Sequence, residues 1–203
     1  TLITLFLSLL FFIGFYFFTS ESQIEFPYIL PVINQTRLIH FLTVWGVFLP
    51  PVFLLIYLHL RNLDNINKKL LFISFLPIVI PFVFRLLIIL IFNEKFESFH
   101  FSNIVGVSNI IISIICITSL FLIFSNIYKT TNIHKSLLFI MIFCSFYLIY
   151  LAENFYLNDM FGNRMNTVFK FYYQAWILLS VVGAISIKMM FIRKKISKIL
   201  SIP

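Results

Sequence analysis

The sequence predicts an all-α fold, a polytopic bundle of about six transmembrane helices. Two bulk properties point there: 61% of the 203 residues are hydrophobic while 11% are charged, and the mean hydropathy is +1.04. Soluble domains have roughly 45–50% apolar and about 25% charged residues. The third observation is a set of long apolar runs, each near the length that crosses a bilayer. Soluble, disordered and disulfide-scaffold proteins are thereby excluded.

Six apolar runs account for most of the chain. A helix needs about 20 apolar residues to cross a hydrocarbon core of roughly 30 Å. In order, the runs are Thr1–Phe18, Phe41–Leu60, Leu70–Phe92, Ile104–Ile127, Leu137–Ala152 and Thr167–Phe191. The fifth is short, and we expect it to extend into Glu153 or to cross a thinned bilayer. Proline pairs at Pro50-Pro51 and Pro77-Pro81 predict kinks in the second and third helices.

The loops between these runs separate by charge. Those at 61–69 and 128–136 and the tail from Arg193 are rich in Lys and Arg, with Asp64 as their one acid. The loops at 19–40, 93–103 and 153–166 hold the other six acids. Positively charged loops stay in the cytoplasm, so both termini are predicted inside and the acidic loops outside.

This loop pattern also explains the net charge of +8 without a nucleic-acid partner. The partner that the composition requires is the lipid bilayer. We expect residues 1–203 to form a single membrane domain. Because the chain opens at Thr1 directly into an apolar run, we expect it to be the carboxy-terminal part of a longer protein. Cys116 and Cys144 lie within apolar runs, which favours reduced, structural thiols.

The most polar segment near the membrane joins the last two runs. On a helix, Asn166, Lys170 and Gln174 form one polar stripe because they are spaced four apart. Glu153, Asp159, Arg164 and Lys170 are close enough in sequence to form one cluster. Such a cluster would bind a phosphate, a lipid-linked head group or a metal ion. The alternative is a salt-bridged turn in which Lys170 extends to the interface.

Arg85 is a charged residue within the third apolar run. At 1.5 Å per residue, it lies roughly 10 Å below the outer end of the predicted helix. A cation at that depth needs a partner, for which the sequence offers Glu94 or Asp159. From the sequence, a structural role and a functional role of Arg85 are equally plausible. The four histidines divide between the two sides of the membrane, which disfavours a histidine metal centre.

The run from Asp159 to Trp176, DMFGNRMNTVFKFYYQAW, closely resembles the signature of the YYY-domain membrane proteins of bacteria and archaea. Glu153 and the stretch Thr36–Gly46 also resemble that family. The resemblance implies a multi-pass protein of the cytoplasmic membrane whose architecture is similar to that of C-type glycosyltransferases. Those enzymes use polyprenyl-phosphate sugars at the outer face. Their first outer loop carries a catalytic acid in an acidic motif, whereas here that loop has only Glu21 and Glu25.

The resemblance transfers importance to the polar segment and leaves the catalytic residues unassigned. Arg164, Lys170, Asn166 and Gln174 are the predicted phosphate-binding residues, and Glu153 and Asp159 the predicted polar cluster, with oxygen ligands for a divalent metal ion. Three functions follow as hypotheses. The first is a glycosyltransferase-like protein acting on a lipid-linked sugar, and the second is a non-catalytic scaffold or complex subunit. The third is a transporter or flippase with Arg85 and Lys170 along its path.

Overall fold

A computed structural model describes residues 24–61, 63, 67–91, 106–128, 133–159 and 163–192. Six helices and two strands make up this part of the chain. In chain order they are β1 (Ile24–Pro31), α1 (Leu38–Trp45), α2 (Leu49–Leu60), α3 (Lys68–Ile91), α4 (Val107–Tyr128), α5 (Ile133–Asn154), β2 (Phe155–Asp159) and α6 (Met165–Ile192).

The predicted helical membrane fold is confirmed. In the described part of the chain, four helices are long and apolar enough to span a bilayer, and the bent pair α1–α2 makes a fifth if it counts as one span. They coincide with five of the predicted runs, and α5 continues past Ala152 to include Glu153. The first predicted run, Thr1–Phe18, lies outside the described residues.

The second predicted helix is broken into two pieces that meet at 83°. The break falls at residues 46–48, so Pro50 and Pro51 lie in the first turn of α2 instead of kinking a helix interior. Proline is well tolerated in a first helical turn, where a backbone N–H has no intrahelical acceptor. The direction of the chain therefore changes at Gly46, and α1 begins at Leu38, before the predicted start.

Helix α3 continues through both of its prolines. Because Pro81 has no N–H, the helical hydrogen bond to the carbonyl of Pro77 is lost. One residue further along, the carbonyl of Ile78 accepts a hydrogen bond of 2.8 Å from the hydroxyl of Tyr150 on α5. This bond gives the buried hydroxyl of Tyr150 an acceptor on a neighbouring helix.

The structure also has a two-stranded sheet, which the predicted all-α fold did not include. Strand β1 pairs antiparallel with β2, with Leu30 opposite Tyr156 and Ile29 opposite Leu157. A backbone hydrogen bond of 2.9 Å from Val32 N–H to the Asn154 carbonyl continues the pairing into the end of α5. The segment before α1 is therefore joined to the segment before α6.

The core lies where α2, α4, α5 and α6 meet. Helix α5 packs against both α4 and α6, and its buried side chains include Phe146 and Ile149. Trp45 from the end of α1 is fully buried beside them. The outward faces of α3 and α6 expose large apolar side chains such as Ile80 and Phe169. Exposed apolar faces of this extent are suited to lipid contact.

Candidate functional site

Glu153 is the centre of a polar cluster at the end of α5. Its side chain is 1% exposed, and both carboxylate oxygens accept hydrogen bonds. Oε2 accepts from the backbone N–H of Thr36 at 2.8 Å, and Oε1 accepts from the Thr36 hydroxyl at 2.6 Å. The hydroxyl of Tyr172 donates to Oε1 at 2.6 Å. A buried carboxylate is stable only with donors of this kind around it.

Arg164 completes the cluster from the segment that leads into α6. One of its terminal nitrogens lies 3.3 Å from Glu153 Oε2, and the other donates to the Thr36 hydroxyl at 3.0 Å. We call Thr36, Glu153, Arg164 and Tyr172 the carboxylate ring. It joins the start of α1, the end of α5 and the start of α6. The Arg164 side chain is 29% exposed, whereas that of Glu153 is 1% exposed.

A second polar group adjoins the ring through Asn154. Arg85 is fully buried and donates to the side-chain oxygen of Asn154 at 3.3 Å and to the carbonyl of Val32 at 2.7 Å. The partners expected from the sequence were Glu94 or Asp159. Glu94 and the Asp159 side chain lie outside the described part of the chain. The described contacts of Arg85 are to a side-chain amide and a backbone carbonyl. Both are neutral acceptors, and the sequence near Arg85 gave no indication of them.

An apolar groove of about 790 Å³ runs between α1 and α6, with Arg164 among the residues that line one end. Thr36 and Asn163 lie at the same end. Along α6 the groove is lined by one face of the helix, Met165, Val168, Phe169, Tyr172, Tyr173, Trp176, Ile177 and Ser180. Val44 lines it from α1. The groove therefore combines a cationic end with a long apolar wall.

The structure brings together some of the predicted site residues and not others. Glu153 and Arg164 form an ion pair. Lys170 and Gln174 are exposed, Asn166 is half-buried, and none of the three lines the groove. At 100° per residue this stripe lies roughly a third of a turn around α6 from the groove face. Asp159 ends β2, and its side chain lies outside the described residues.

The described part of the chain contains no group of three or more His, Cys, Asp or Glu side chains that could hold a metal ion. Glu153 already accepts four hydrogen bonds from protein donors. Of the pair considered for a transport path, Arg85 is buried against Asn154 and Lys170 is exposed on α6.

Sequence reasoning missed two members of the ring, Thr36 and Tyr172, and the role of Asn154. Thr36 and Tyr172 both fall within stretches singled out for the family resemblance. Neither residue type attracts attention alone, because isolated hydroxyls are frequent in membrane helices. Asn154 carried a weak signal, since an amide directly after an intramembrane acid is a costly residue at the end of an apolar run.

Together, these features define a polytopic α-helical membrane protein with a polar site at one end of its bundle. The chain belongs to the family described as uncharacterized membrane protein (DUF2298), which matches residues 1–179 and thus includes the whole carboxylate ring. No curated protein and no solved structure matches the chain.

Proposed function

We propose that this protein binds a lipid phosphate in the groove between α1 and α6, at the outer face of a bacterial or archaeal cytoplasmic membrane. We further propose that it acts there as a glycosyltransferase on a polyprenyl-phosphate-linked sugar. The observation that carries the proposal is that Arg164 lines the end of an apolar groove. A lipid phosphate has the same two parts, an anionic head and a long apolar chain.

Arg164 is suited to a phosphate contact. A guanidinium has five N–H donors in a planar fork that matches phosphate oxygens. Only two of its donors are engaged in the described contacts, with Glu153 and Thr36. The 3.3 Å contact to Glu153 is longer than the usual charge-assisted hydrogen bond of roughly 2.7–2.9 Å. The ring thus orients the guanidinium and leaves donors for a ligand.

The chemistry of sugar transfer requires a group at this position. When the bond between the anomeric carbon and the phosphate oxygen breaks, the negative charge of the leaving lipid phosphate increases. A preorganised cation stabilises that developing charge. Arg164 would supply it, with Glu153 and Thr36 positioning it. The base that activates the acceptor is not assigned to any residue of this chain.

The proposal is tested by binding of a polyprenyl phosphate to the full chain in nanodiscs, measured by native mass spectrometry. The phosphate should bind at least about tenfold more tightly than the matched polyprenyl alcohol, as charge-assisted hydrogen bonds imply. Arg164→Gln should remove most of that difference, and Arg164→Lys should retain part of it.

Arg37→Gln is the matched control. Arg37 is exposed at the same end of the bundle, does not line the groove, and its replacement changes the net charge equally. Equal binding of phosphate and alcohol by the native chain would exclude the proposal. So would an Arg37→Gln loss as large as that of Arg164→Gln.

A non-catalytic scaffold subunit is the second candidate, favoured by the complete hydrogen bonding of Glu153. A carboxylate with four donors is suited to fixing three chain segments in place. In that case the Arg164 variants would bind the lipid as the native chain does, and native gels of solubilised membranes would show a smaller complex.

A further inference from the structure

A lateral crevice between α3 and α4 has no part in the proposed reaction. It measures about 240 Å³, and Asn109 and Tyr150 line it among apolar residues of both helices. The wall residues Val79, Ile110 and Ile114 are 45%, 47% and 53% exposed, so the crevice opens sideways between the helices. On a chain embedded in a bilayer, such an opening faces lipid.

Asn109 lines this crevice, and its buried side-chain oxygen is an unsatisfied acceptor. The residue is 3% exposed, and its Oδ1 has no hydrogen-bond partner among the described residues. Its Nδ2 donates to the side-chain oxygen of Asn154 at 3.4 Å. An unpaired carbonyl oxygen in an apolar environment costs free energy, and most such groups in proteins do have a partner.

The orientation of the Asn109 amide follows from its neighbours. Asn154 Nδ2 donates to the carbonyl of Tyr150 at 2.7 Å, so Asn154 presents its oxygen to Arg85 and Asn109. Arg85 has no acceptor atom, which fixes that assignment independently. Asn109 must then direct its NH₂ group toward Asn154 and keep its oxygen as a hydrogen-bond acceptor. A flipped amide would set two oxygens against each other.

We propose that this crevice binds a lipid through a hydroxyl group, which donates to Asn109 Oδ1 while the lipid chain lies along α4. Asn109 is the third residue of α4, so the acceptor lies near the end of the span, at the depth of lipid hydroxyls. Ile110 and Ile114 follow one turn apart and provide the apolar contact. A neutral donor suits the acceptor, whereas a lipid with only acceptor oxygens leaves it unpaired.

The test uses two photoactivatable probes with the same diazirine-bearing alkyl chain, a long-chain alcohol and its methyl ether. Both are incorporated into nanodiscs with the full chain, and labelled peptides are mapped by mass spectrometry. The alcohol should label the peptides containing Ile110–Ile114 and Val79–Phe82 about fivefold more than the ether, the ratio expected for one hydrogen bond.

Asn109→Leu should abolish this preference for the alcohol. Ser113→Ala is the matched control, because Ser113 lines the same crevice but donates its hydroxyl to the Asn109 backbone carbonyl. It should leave the preference unchanged.

Equal labelling by the two probes in the native chain would overturn the proposal and would indicate that water satisfies Asn109. A preference for the alcohol that persists in Asn109→Leu would also overturn it. The comparison of probes in the native chain does not depend on how well the variant folds.

Discussion

Glu153 illustrates how a membrane protein keeps a carboxylate in its interior. Each of its hydrogen-bond partners is a donor, and these donors come from Thr36, Arg164 and Tyr172. Tyr172 is itself held in place by the fully buried indole of Trp45, whose ring centre lies 5.0 Å away in an edge-on arrangement. The ring therefore couples one acid to the packing of two helices.

Replacing Glu153 with Gln should destabilise the protein. In one orientation the new NH₂ group faces the Thr36 N–H and the Arg164 guanidinium, which can only donate. In the other it requires the Thr36 and Tyr172 hydroxyls to become acceptors, and in both the charge that pairs with Arg164 is lost. We expect a loss of about 2 kcal/mol in the free energy of unfolding, measured by denaturant titration in detergent micelles. This is below the roughly 3–5 kcal/mol of a fully buried ion pair, because Arg164 is 29% exposed and partly screened by solvent.

Lys170→Gln is the control for that measurement, because Lys170 is exposed on α6 and belongs to no ring contact. Its free energy of unfolding should stay close to that of the native chain. Equal stability of Glu153→Gln and the native chain would show that the ring does not contribute to folding.

The bent pair α1–α2 shows how one helix of the bundle determines where the site lies. The break directs α1 toward the ring, so that Thr36, two residues before α1, reaches Glu153. At the break, Gly46 donates its N–H to the carbonyl of Leu42 at 2.8 Å. A Cβ atom at Gly46 would collide with that same carbonyl oxygen, which is backbone and cannot rotate away.

Substituting the two glycines should therefore have opposite effects. Gly46→Ala should lower the thermal unfolding midpoint, because the backbone at the break must shift. Gly183→Ala should raise it, since a Cβ there has open space within 4 Å and Ala in a helix interior is about 0.5–1 kcal/mol more favourable than Gly. Differential scanning fluorimetry in detergent measures both, and a stabilising Gly46→Ala would contradict this account of the break.

The molecule has two chemically different ends. The carboxylate ring and the β1–β2 sheet lie at one end, where Gln35 also accepts a hydrogen bond from Gly106 N–H before α4. The basic residues Arg61, Lys68 and Lys69 lie where α2 ends and α3 begins. The distribution of Lys and Arg predicts that the first end faces outward and the second faces the cytoplasm.

Cysteine labelling tests this orientation. In a background lacking Cys116 and Cys144, Asn163→Cys should react with a membrane-impermeant maleimide in intact cells. Asn67→Cys should react only after the cells are permeabilised. Both positions are exposed asparagines at opposite ends of the bundle, so their intrinsic accessibility is matched. The reverse pattern would place the ring in the cytoplasm and remove the outer-face reaction from consideration.

Composition and apolar run length are sufficient to predict a helical membrane protein, because the bilayer requires about 20 apolar residues per span wherever they occur. The polar segment after α5 also stands out locally, as Glu153 and Arg164 are only 11 residues apart. The length of an apolar run and the charges of a short segment depend only on residues that are neighbours in the sequence. Both properties can therefore be read from the sequence without knowledge of the fold.

The partners of those residues depended on the three-dimensional fold. Glu153 meets Thr36 across 117 residues, and Arg85 meets Asn154 across 69. The β1–β2 sheet likewise pairs segments from distant parts of the chain. Helical periodicity reports only which residues share a face, whereas these contacts arise because several helix ends meet at one side of the bilayer. Their physical origin is the packing of the helices, which is why no local pattern foretold them.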